Sequence, residues 1–205
     1  MSDPVRVGII DHGSGNLHSV GRALRRVGAE VTVSHDPKTL RETDALVLPG
    51  VGALAAGMAG LRAMGGDRLV HQWVDEGRPL LGICVGHQML FERGRERGVD
   101  VKCLGVLPGV VAKLPAPRLP HMGWNTVTPA TGSALFRNAN ERFYFVHSYG
   151  VTVTGTSDHF TTATHQGATF VAAAEYGLVA STQFHPEKSG MAGLAMLARW
   201  LTQLS

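Results

Sequence analysis

The segment Pro79-Leu80-Leu81-Gly82-Ile83-Cys84-Val85-Gly86 combines an apolar run with a cysteine between two glycines. The run predicts a buried strand, and the residues that follow predict a helix over 85–93. A nucleophile at such a junction sits on a tight, strained turn, where glycines two residues away avoid collisions with neighbouring backbone. We therefore interpret Cys84 as a candidate nucleophile and the backbone N–H of Val85 as a donor to a developing oxyanion. A buried structural cysteine is the alternative.

Apolar runs and helical periodicities surround this segment and define how the chain is organised. Towards the N-terminus they alternate, with strands predicted at 5–10, 30–33 and 45–48 and helices at 17–27 and 67–75. After residue 100 the pattern changes to successive short strands, predicted at 106–113, 124–127, 143–146, 151–153, 170–173 and 178–184. A final helix is predicted over 190–202, with one apolar stripe comprising Met191, Leu194, Leu197, Ala198 and Leu201. Together these elements predict one α/β domain spanning residues 1–205.

The composition indicates a globular chain with a full hydrophobic core. Of 205 residues, 44% are hydrophobic and 17% are charged, which is too little charge for disorder. The 19 basic and 16 acidic residues leave a net charge of +3, and the longest basic run is Arg25-Arg26, so we expect no nucleic-acid partner. Nothing resembles a signal peptide or the roughly 20 apolar residues of a membrane span, so we expect a cytoplasmic protein without a membrane partner. Two cysteines are too few for a disulfide framework.

A cysteine nucleophile needs a base, and the context of His185 distinguishes it among ten histidines. It follows an apolar run and precedes Pro186, which favours an extended backbone. Residues i and i+2 of an extended chain project to the same side, so Glu187 can orient the His185 imidazole. The alternative is a surface turn, which the position between a strand and the last helix disfavours.

Two glycine turns at strand ends are weaker signals. Pro49-Gly50-Val51-Gly52 follows a predicted strand, and its glycines allow backbone N–H groups to approach a ligand closely, as a second oxyanion donor requires. Gly13-Ser14-Gly15 begins like a dinucleotide-binding fingerprint, but His18 occupies the position of the third glycine. We interpret the segment as a strand-to-helix turn, at a strand end where ligands and partners dock in open α/β sheets.

No signal indicates a metal or another cofactor. His121 and His147 lie among aromatic and polar residues, but no His-x3-His or Cys-x2-Cys spacing occurs, so both are interpreted as structural histidines. Cys103 lies in a strand-like run and is interpreted as a core residue. The Gly-x4-Gly-Lys-Ser/Thr motif of a phosphate-binding loop is absent.

Taken together, the motifs resemble those of the class I glutamine amidotransferases. The segments Gly82–Gln88 and Gln183–Gly190 are similar to the nucleophile elbow and the His-Pro-Glu motif of that family. Within the family, Asp11–Val20 and Pro120–Asn125 resemble the glutaminase subunits of imidazole glycerol phosphate synthase. His12 stands where those subunits have tyrosine, and His87 where methionine is usual.

The resemblance implies a flavodoxin-like α/β fold with a mixed, largely parallel central sheet flanked by helices, and with added antiparallel strands. It also implies hydrolysis of L-glutamine to L-glutamate and ammonia by Cys84, His185 and Glu187, without a cofactor. Further implied roles are the oxyanion hole for Gly52 and Val85 and glutamine binding for Gly50, Gln88, Ser148 and Tyr149. The implied partner is a (β/α)8-barrel cyclase subunit in a heterodimer, contacted by Asn16, Met122, Tyr144 and Lys188.

Three alternatives remain open from the sequence. The chain can be another amidotransferase subunit, for anthranilate, pyridoxal phosphate or nucleotide synthesis, although the Pro-His-Met-Gly-Trp-Asn motif at 120–125 is not expected there. It can also be a cysteine peptidase or γ-glutamyl hydrolase on a similar fold. A docking module with a vestigial site is the non-enzymatic alternative, which the presence of all three triad residues disfavours.

Overall fold

A computed structural model describes residues 3–137, 139–153 and 157–204. Helices and strands follow one another along the chain in the order β1 (Arg6–Ile10), α1 (Leu17–Arg26), β2 (Glu30–Ser34), α2 (Pro37–Arg41), β3 (Ala45–Gly50), α3 (Leu54–Ala63), α4 (Gly66–Asp75), β4 (Leu80–Cys84), α5 (Val85–Met89), β5 (Arg93–Glu96), β6 (Val99–Lys102), β7 (Val110–Lys113), β8 (His121–Thr126), β9 (Arg142–His147), β10 (Tyr149–Gly150), β11 (Phe160–His165), β12 (Ala168–Tyr176), β13 (Val179–Thr182), a 3₁₀ helix (Pro186–Lys188) and α6 (Gly190–Thr202).

Seven strands form the central sheet, in the order β11-β12-β13-β4-β3-β1-β2. The five strands from β13 to β2 run parallel, whereas β12 and β11 add antiparallel pairs at one edge. Strands β3, β4 and β13 are buried along their whole length, which explains why they read as continuous apolar runs in the sequence. The predicted mixed, largely parallel sheet is confirmed.

The strand register brings the predicted motifs to one edge of this sheet. Gly50 pairs with Cys84 at the carboxyl ends of β3 and β4. On the other side of β4, Thr182 pairs with Ile83, so the chain leaves β13 beside Cys84 and reaches His185 three residues later. Ligands of open α/β sheets bind at the carboxyl ends of the strands, and these residues lie at that edge.

Two smaller sheets carry the added strands. One has the order β10-β7-β5-β6, and the other is the antiparallel pair of β8 and β9. Residues from all three sheets and from the helices share one hydrophobic cluster, whose largest fully buried side chains include Trp73, Trp200, Phe143, Phe145 and Phe184.

Helix α6 has the predicted bounds, but its buried face differs from the predicted stripe. Met191 is 74% exposed, whereas Met196 and Trp200 are fully buried. Met191 is exposed to solvent on the first turn of α6, whereas Gly193 in the same turn is buried. The inclusion of Met191 in the buried stripe is wrong.

The helix predicted over 85–93 is wrong beyond Met89. The carbonyl oxygens of residues 89–91 accept hydrogen bonds of 2.8 to 2.9 Å from the N–H groups of Leu104, Gly105 and Leu107. These carbonyl groups are therefore unavailable to the next helical turn. The chain instead enters strand β5, which pairs with β6 and β7.

Other elements depart from the sequence prediction in the same half of the chain. The strand predicted at 106–113 begins only at Val110, after a turn in which Gly109 has a φ of +131°. Residues 151–153 form no strand, although Thr152 makes an isolated bridge with Phe170. Strands β5, β6, β10 and β11 in this part of the chain, and helices α2 and α3 nearer the N-terminus, were not predicted.

The described residues include no helix that is both long and apolar enough to cross a membrane.

The closest backbone approach at the site involves Gly86 and generates a stability prediction. A Cβ atom on Gly86 would lie 1.8 Å from the carbonyl oxygen of Leu48, so Gly86→Ala must push α5 away from β3. We expect the free energy of unfolding to fall by about 3 kcal/mol in a urea titration. Gly98→Ala is the control, because Gly98 has a φ of +80° but open space around it, and the expected loss is about 1 kcal/mol. Equal losses in both variants would contradict the steric explanation.

Candidate active site

The turn between β4 and α5 holds Cys84 in a strained backbone conformation. Its φ of 56° and ψ of −110° are uncommon for a residue with a side chain, and such strain costs on the order of 1–3 kcal/mol. The turn is tight because Gly82 and Gly86 allow the backbone segments to touch. A Cβ on Gly82 would lie 3.0 Å from the carbonyl oxygen of Gly86. The predicted strand-to-helix elbow is therefore present.

His185 and Glu187 form the buried pair that their spacing predicts. Nδ1 of His185 lies 2.8 Å from Oε1 of Glu187, and the two side chains are 3% and 1% exposed. His185 has an extended backbone, and Pro186 begins the 3₁₀ helix directly after it. Cys84 and His185 line one cavity, and the Cys84 thiol is close enough to this imidazole to influence its pKa.

The environment of His185 favours its cationic form. Burial alone lowers the pKa of this imidazole, but the hydrogen bonds and charges of Cys84 and Glu187 outweigh burial and raise the pKa to about 9. A protonated imidazole next to a cysteine sulfur can donate a proton to a leaving group. This arrangement suits the transfer of an acyl group to the cysteine.

A buried hydroxyl that the sequence did not indicate holds the backbone of His185. The Ser189 hydroxyl donates to the carbonyl oxygen of His185 at 2.6 Å and accepts from the N–H of Tyr144 at 2.9 Å. The N–H of His185 donates in turn to the carbonyl oxygen of Tyr144 at 3.0 Å. Strand β9 therefore fixes the position of the imidazole.

A cavity of about 260 Å³ opens beside Cys84. Of the residues that the sequence assigned to the site, its wall contains Gly52, Cys84, Val85, Gln88, Ser148, Tyr149, His185 and Lys188. Gly50 lies next to this wall, packed so closely that a Cβ there would meet Val85 and Gly86. The cavity wall also contains residues that sequence reasoning missed: Val51, Glu96, Val146 and His147.

The hydrogen bonds of Gln88 determine which group it presents to the cavity. Its Nε2 donates to the carbonyl oxygen of Tyr149 and to Oε1 of Gln183, both at 2.9 Å. A backbone carbonyl only accepts, so the amide cannot be turned the other way round. Both N–H groups are thus used, and Oε1 of Gln88 is the atom left for a ligand.

Glu96 supplies a carboxylate to the same cavity. Its Oε2 accepts a hydrogen bond of 2.9 Å from the N–H of Leu54, which orients the side chain from the β5 strand. Sequence analysis did not indicate this residue, because it predicted no strand over 93–96, and β5 forms by pairing with β6 and β7. The carboxylate can bind a cationic group of a ligand.

Of the residues assigned to a partner interface, Lys188 lines the cavity, and Met122 pairs across β8 and β9 with Val146, which also lines it. Met122 and Trp124 are 63% and 49% exposed on β8, and Met191 is exposed at the start of α6. We call these three residues the apolar rim. Tyr144 packs edge-on against Trp124 with 6.1 Å between ring centroids, and Lys188 is exposed in the cavity wall. Asn16 is partly exposed at the start of α1, which contacts the 3₁₀ helix.

The two unusual histidines have separate structural contacts. Nε2 of His12 donates to the carbonyl oxygen of Pro49 at 2.7 Å, which ties the Gly13–Gly15 turn to β3. His87 is fully buried, with Nδ1 2.8 Å from the Ser181 hydroxyl, and burial lowers its pKa to about 3. His87 therefore remains a neutral packing residue beside the elbow.

Residues 3–137, 139–153 and 157–204 contain no group of three His, Cys, Asp or Glu side chains arranged to hold a metal ion. Cys103 is a buried free thiol in the core, as expected, and burial raises its pKa to about 11. The thiol is therefore a poor nucleophile at neutral pH.

The raised pKa of His185 generates a prediction about Glu187→Gln. Removing the carboxylate should move the titration of His185 below pH 9, as measured by NMR of its imidazole nitrogens. Because the folded-state pKa exceeds the ordinary 6.5, this pairing stabilises the fold fully below pH 6.5 and loses its effect as pH rises through about 9. The difference in free energy of unfolding between wild type and variant should therefore shrink between pH 6 and pH 10. Glu42→Gln, with the same charge change on an exposed residue, is the control, and an unshifted His185 titration in Glu187→Gln would contradict the assignment.

Comparisons with known proteins show the family to which the chain belongs. The family model described as glutamine amidotransferase class-I matches residues 8–204. The imidazole glycerol phosphate synthase subunit HisH of Cutibacterium acnes is 84% identical over 205 residues and the match covers 100% of both chains. HisH of Thermobifida fusca is 54% identical, with 97% of this chain and 99% of the relative covered.

The fold also agrees with solved structures. The structure of PurLQS from Thermotoga maritima matches with a TM-score of 0.74 at 18% identity, covering 100% of both chains, and at that identity it shows the fold alone. The resemblance inferred from the motifs is thus confirmed by the full-length matches. The chain belongs to the class I glutamine amidotransferases and, within them, to the HisH subunits of imidazole glycerol phosphate synthase.

Proposed function

We propose that this chain, as one domain over residues 1–205, hydrolyses L-glutamine and passes the ammonia to a (β/α)8-barrel cyclase subunit. The cyclase would use the ammonia to make imidazole glycerol phosphate and aminoimidazole carboxamide ribotide in histidine biosynthesis. The observation that carries the proposal is that Cys84 lines one cavity together with His185, whose imidazole is paired with the buried Glu187.

The first half of the reaction forms a thioester. The Cys84 sulfur attacks the side-chain amide carbon of glutamine, and the thiol proton resides on His185. The N–H groups of Gly52 and Val85 stabilise the negative oxygen of the tetrahedral intermediate. His185 then gives its proton to the amide nitrogen, the carbon–nitrogen bond breaks, and ammonia leaves. The raised pKa of His185, about 9, keeps this proton available at neutral pH.

The second half regenerates the enzyme. His185, now neutral, removes a proton from a water molecule, and the resulting hydroxide attacks the thioester carbon. The intermediate collapses, the carbon–sulfur bond breaks, and glutamate is released. The carboxylate of Glu187 holds the imidazole in place through both proton transfers and stabilises its cationic form.

The cavity has polar groups that match the α-ammonium group of glutamine. We assign the α-ammonium group to the carboxylate of Glu96 and to Oε1 of Gln88, because both are acceptors facing the cavity. Ser148 and Tyr149 line the same cavity as Cys84, and we assign to them the role of holding the substrate beside its sulfur. Gly50 supports the wall through its close packing on Val85 and Gly86.

The cyclase would bind over the mouth of the cavity. The apolar rim exposes three large side chains near Lys188 and Tyr144, which supports a protein interface there. Asn16 would extend the interface to the start of α1. Docking at this position would cover the route by which ammonia leaves Cys84.

Substitution of the nucleophile tests the proposal. Cys84→Ala in complex with the cyclase should lose glutamine-dependent product formation by at least about 10³-fold, because no thioester can form. Synthesis from added ammonium should persist. Cys103→Ala is the control, since it removes the other free buried thiol and should leave both reactions intact. Loss of the ammonium-dependent reaction in Cys84→Ala would instead indicate a failure of folding or assembly.

Dependence on the partner is the second test. We expect ammonia release from glutamine to be slow for the chain alone and to rise at least about tenfold with the cyclase and its ligand, because docking would reorient residues 49–52 and complete the oxyanion hole. Enzyme-coupled measurement of glutamate would follow both rates. Equal rates with and without the liganded cyclase would contradict this control mechanism.

A further inference from the structure

Two buried histidines connect Asn125 on strand β8 to Tyr149 in the wall of the cavity through a series of hydrogen bonds. Nδ1 of His121 on β8 lies 3.0 Å from Nε2 of His147 on β9, and Nδ1 of His147 lies 3.0 Å from the carbonyl oxygen of Tyr149. At the outer end, Nδ2 of Asn125 lies 3.3 Å from Nε2 of His121. The mechanism described above uses neither histidine.

At the Asn125 end of this series of hydrogen bonds, the donor and acceptor of each bond can be assigned. Oδ1 of Asn125 accepts from the N–H of Thr126 at 2.9 Å, and Nδ2 donates to the carbonyl oxygen of Thr164 at 3.0 Å. The amide orientation is therefore set by two backbone groups, and the second N–H of Nδ2 faces His121. Nε2 of His121 must accept, so its proton is on Nδ1 and is donated to His147.

At the Tyr149 end, the donor and acceptor roles can be assigned independently, and they agree with those at the Asn125 end. The carbonyl oxygen of Tyr149 can only accept, so Nδ1 of His147 carries a proton. Nε2 of a neutral His147 then accepts, which is what the donor on His121 requires. The two ends agree on one arrangement, with both imidazoles neutral and protonated on Nδ1.

The surroundings of the two rings keep them neutral. Burial lowers the pKa of His121 to about 4 and that of His147 to about 3. His121 stacks on Phe145 with 4.8 Å between centroids, and His147 packs edge-on against Phe170 at 4.8 Å. A neutral His147 in the cavity wall adds no positive charge next to His185.

The Tyr149 carbonyl oxygen, which is the last acceptor in this series of hydrogen bonds, also bonds to a residue of the glutamine pocket. It also accepts from Nε2 of Gln88 at 2.9 Å, and this bond turns Oε1 of Gln88 towards the cavity. Ser148 lies between His147 and Tyr149 in the chain, and its own carbonyl oxygen accepts from the N–H of Leu114 at 3.0 Å. A shift of Tyr149 would therefore move three groups assigned to glutamine binding.

We propose that His121 and His147 are positioning residues that hold the Ser148–Tyr149 wall and the amide of Gln88 in the geometry that binds glutamine. They act through the Tyr149 carbonyl and do not touch the reacting atoms. This inference rests on the proposed glutaminase function.

NMR of the full chain tests the hydrogen-bond chain without reference to activity. Both imidazoles should show the Nδ1-protonated neutral form from pH 6 to pH 8, with a scalar coupling between Nδ1 of His121 and Nε2 of His147 across the hydrogen bond. Titration of either ring in this range, or protonation on Nε2, would overturn the proposal.

Kinetics with the liganded cyclase test the positioning role. His121→Phe keeps a flat ring but removes the donor, and we expect KM for glutamine to rise roughly tenfold while kcat changes less than about threefold. His121→Asn places an amide N–H near the former Nδ1 and should recover most of the lost affinity. His165→Phe is the matched control. His165 stacks on His121 with 4.3 Å between ring centroids but takes no part in the hydrogen bonds that join Asn125, His121, His147 and Tyr149, so the KM of this variant for glutamine should not change.

A second variant covers the case in which His121→Phe does not fold. Asn125→Leu keeps a side chain of similar size but removes the N–H that makes Nε2 of His121 an acceptor, so the His121 proton is free to move to Nε2, the bond to His147 is weakened and KM should rise. Unchanged KM in both variants, or an equal rise in His165→Phe, would overturn the positioning role. A wild-type complex that releases no ammonia from glutamine would instead overturn the proposed function, while the NMR coupling would still report on the chain of histidines.

Discussion

The close backbone approach at the β4–α5 elbow is the constraint on which the site depends. Helix α5 packs so tightly on β3 that no side chain fits at Gly86, where a Cβ would lie 1.8 Å from the Leu48 carbonyl oxygen. The chain can make this turn only with Cys84 at a positive φ. The strain at Cys84 is held by buried strands on both sides of β4, and it lifts the sulfur to the edge where the other groups converge.

The electrostatics of the site follow from two kinds of buried histidine. His185 is buried with a carboxylate and a thiol beside it, and its pKa rises to about 9. His147, in the same cavity wall, has only neutral partners, and burial lowers its pKa to about 3. The neighbouring rings thus differ in charge because their hydrogen-bond partners differ. One is suited to proton transfer, and the other to holding the backbone of the pocket.

Sequence patterns predicted the parts of the fold in which local signals and tertiary packing agree. The strands of the central sheet other than β11, together with α4 and the bounds of α6, follow from continuous apolar runs and helical periodicity. The prediction fails where partners distant in sequence compete for the backbone. Residues 104–107 take the carbonyl groups that would extend α5, and strand β5 replaces the predicted helix. Met191 fits the apolar periodicity of α6, yet its side chain is exposed to solvent.

The sequence by itself determined the elbow at Cys84 and the pairing of His185 with Glu187, because glycine spacing and an i, i+2 relation in an extended chain are local properties. Only the tertiary structure decided the rest of the pocket. Glu96 and His147 line it, and Ser189 holds the backbone of His185 beside it, through hydrogen bonds that join residues 42, 26 and 45 positions apart. No local pattern encodes such contacts, since they depend on which strands pair and in which register.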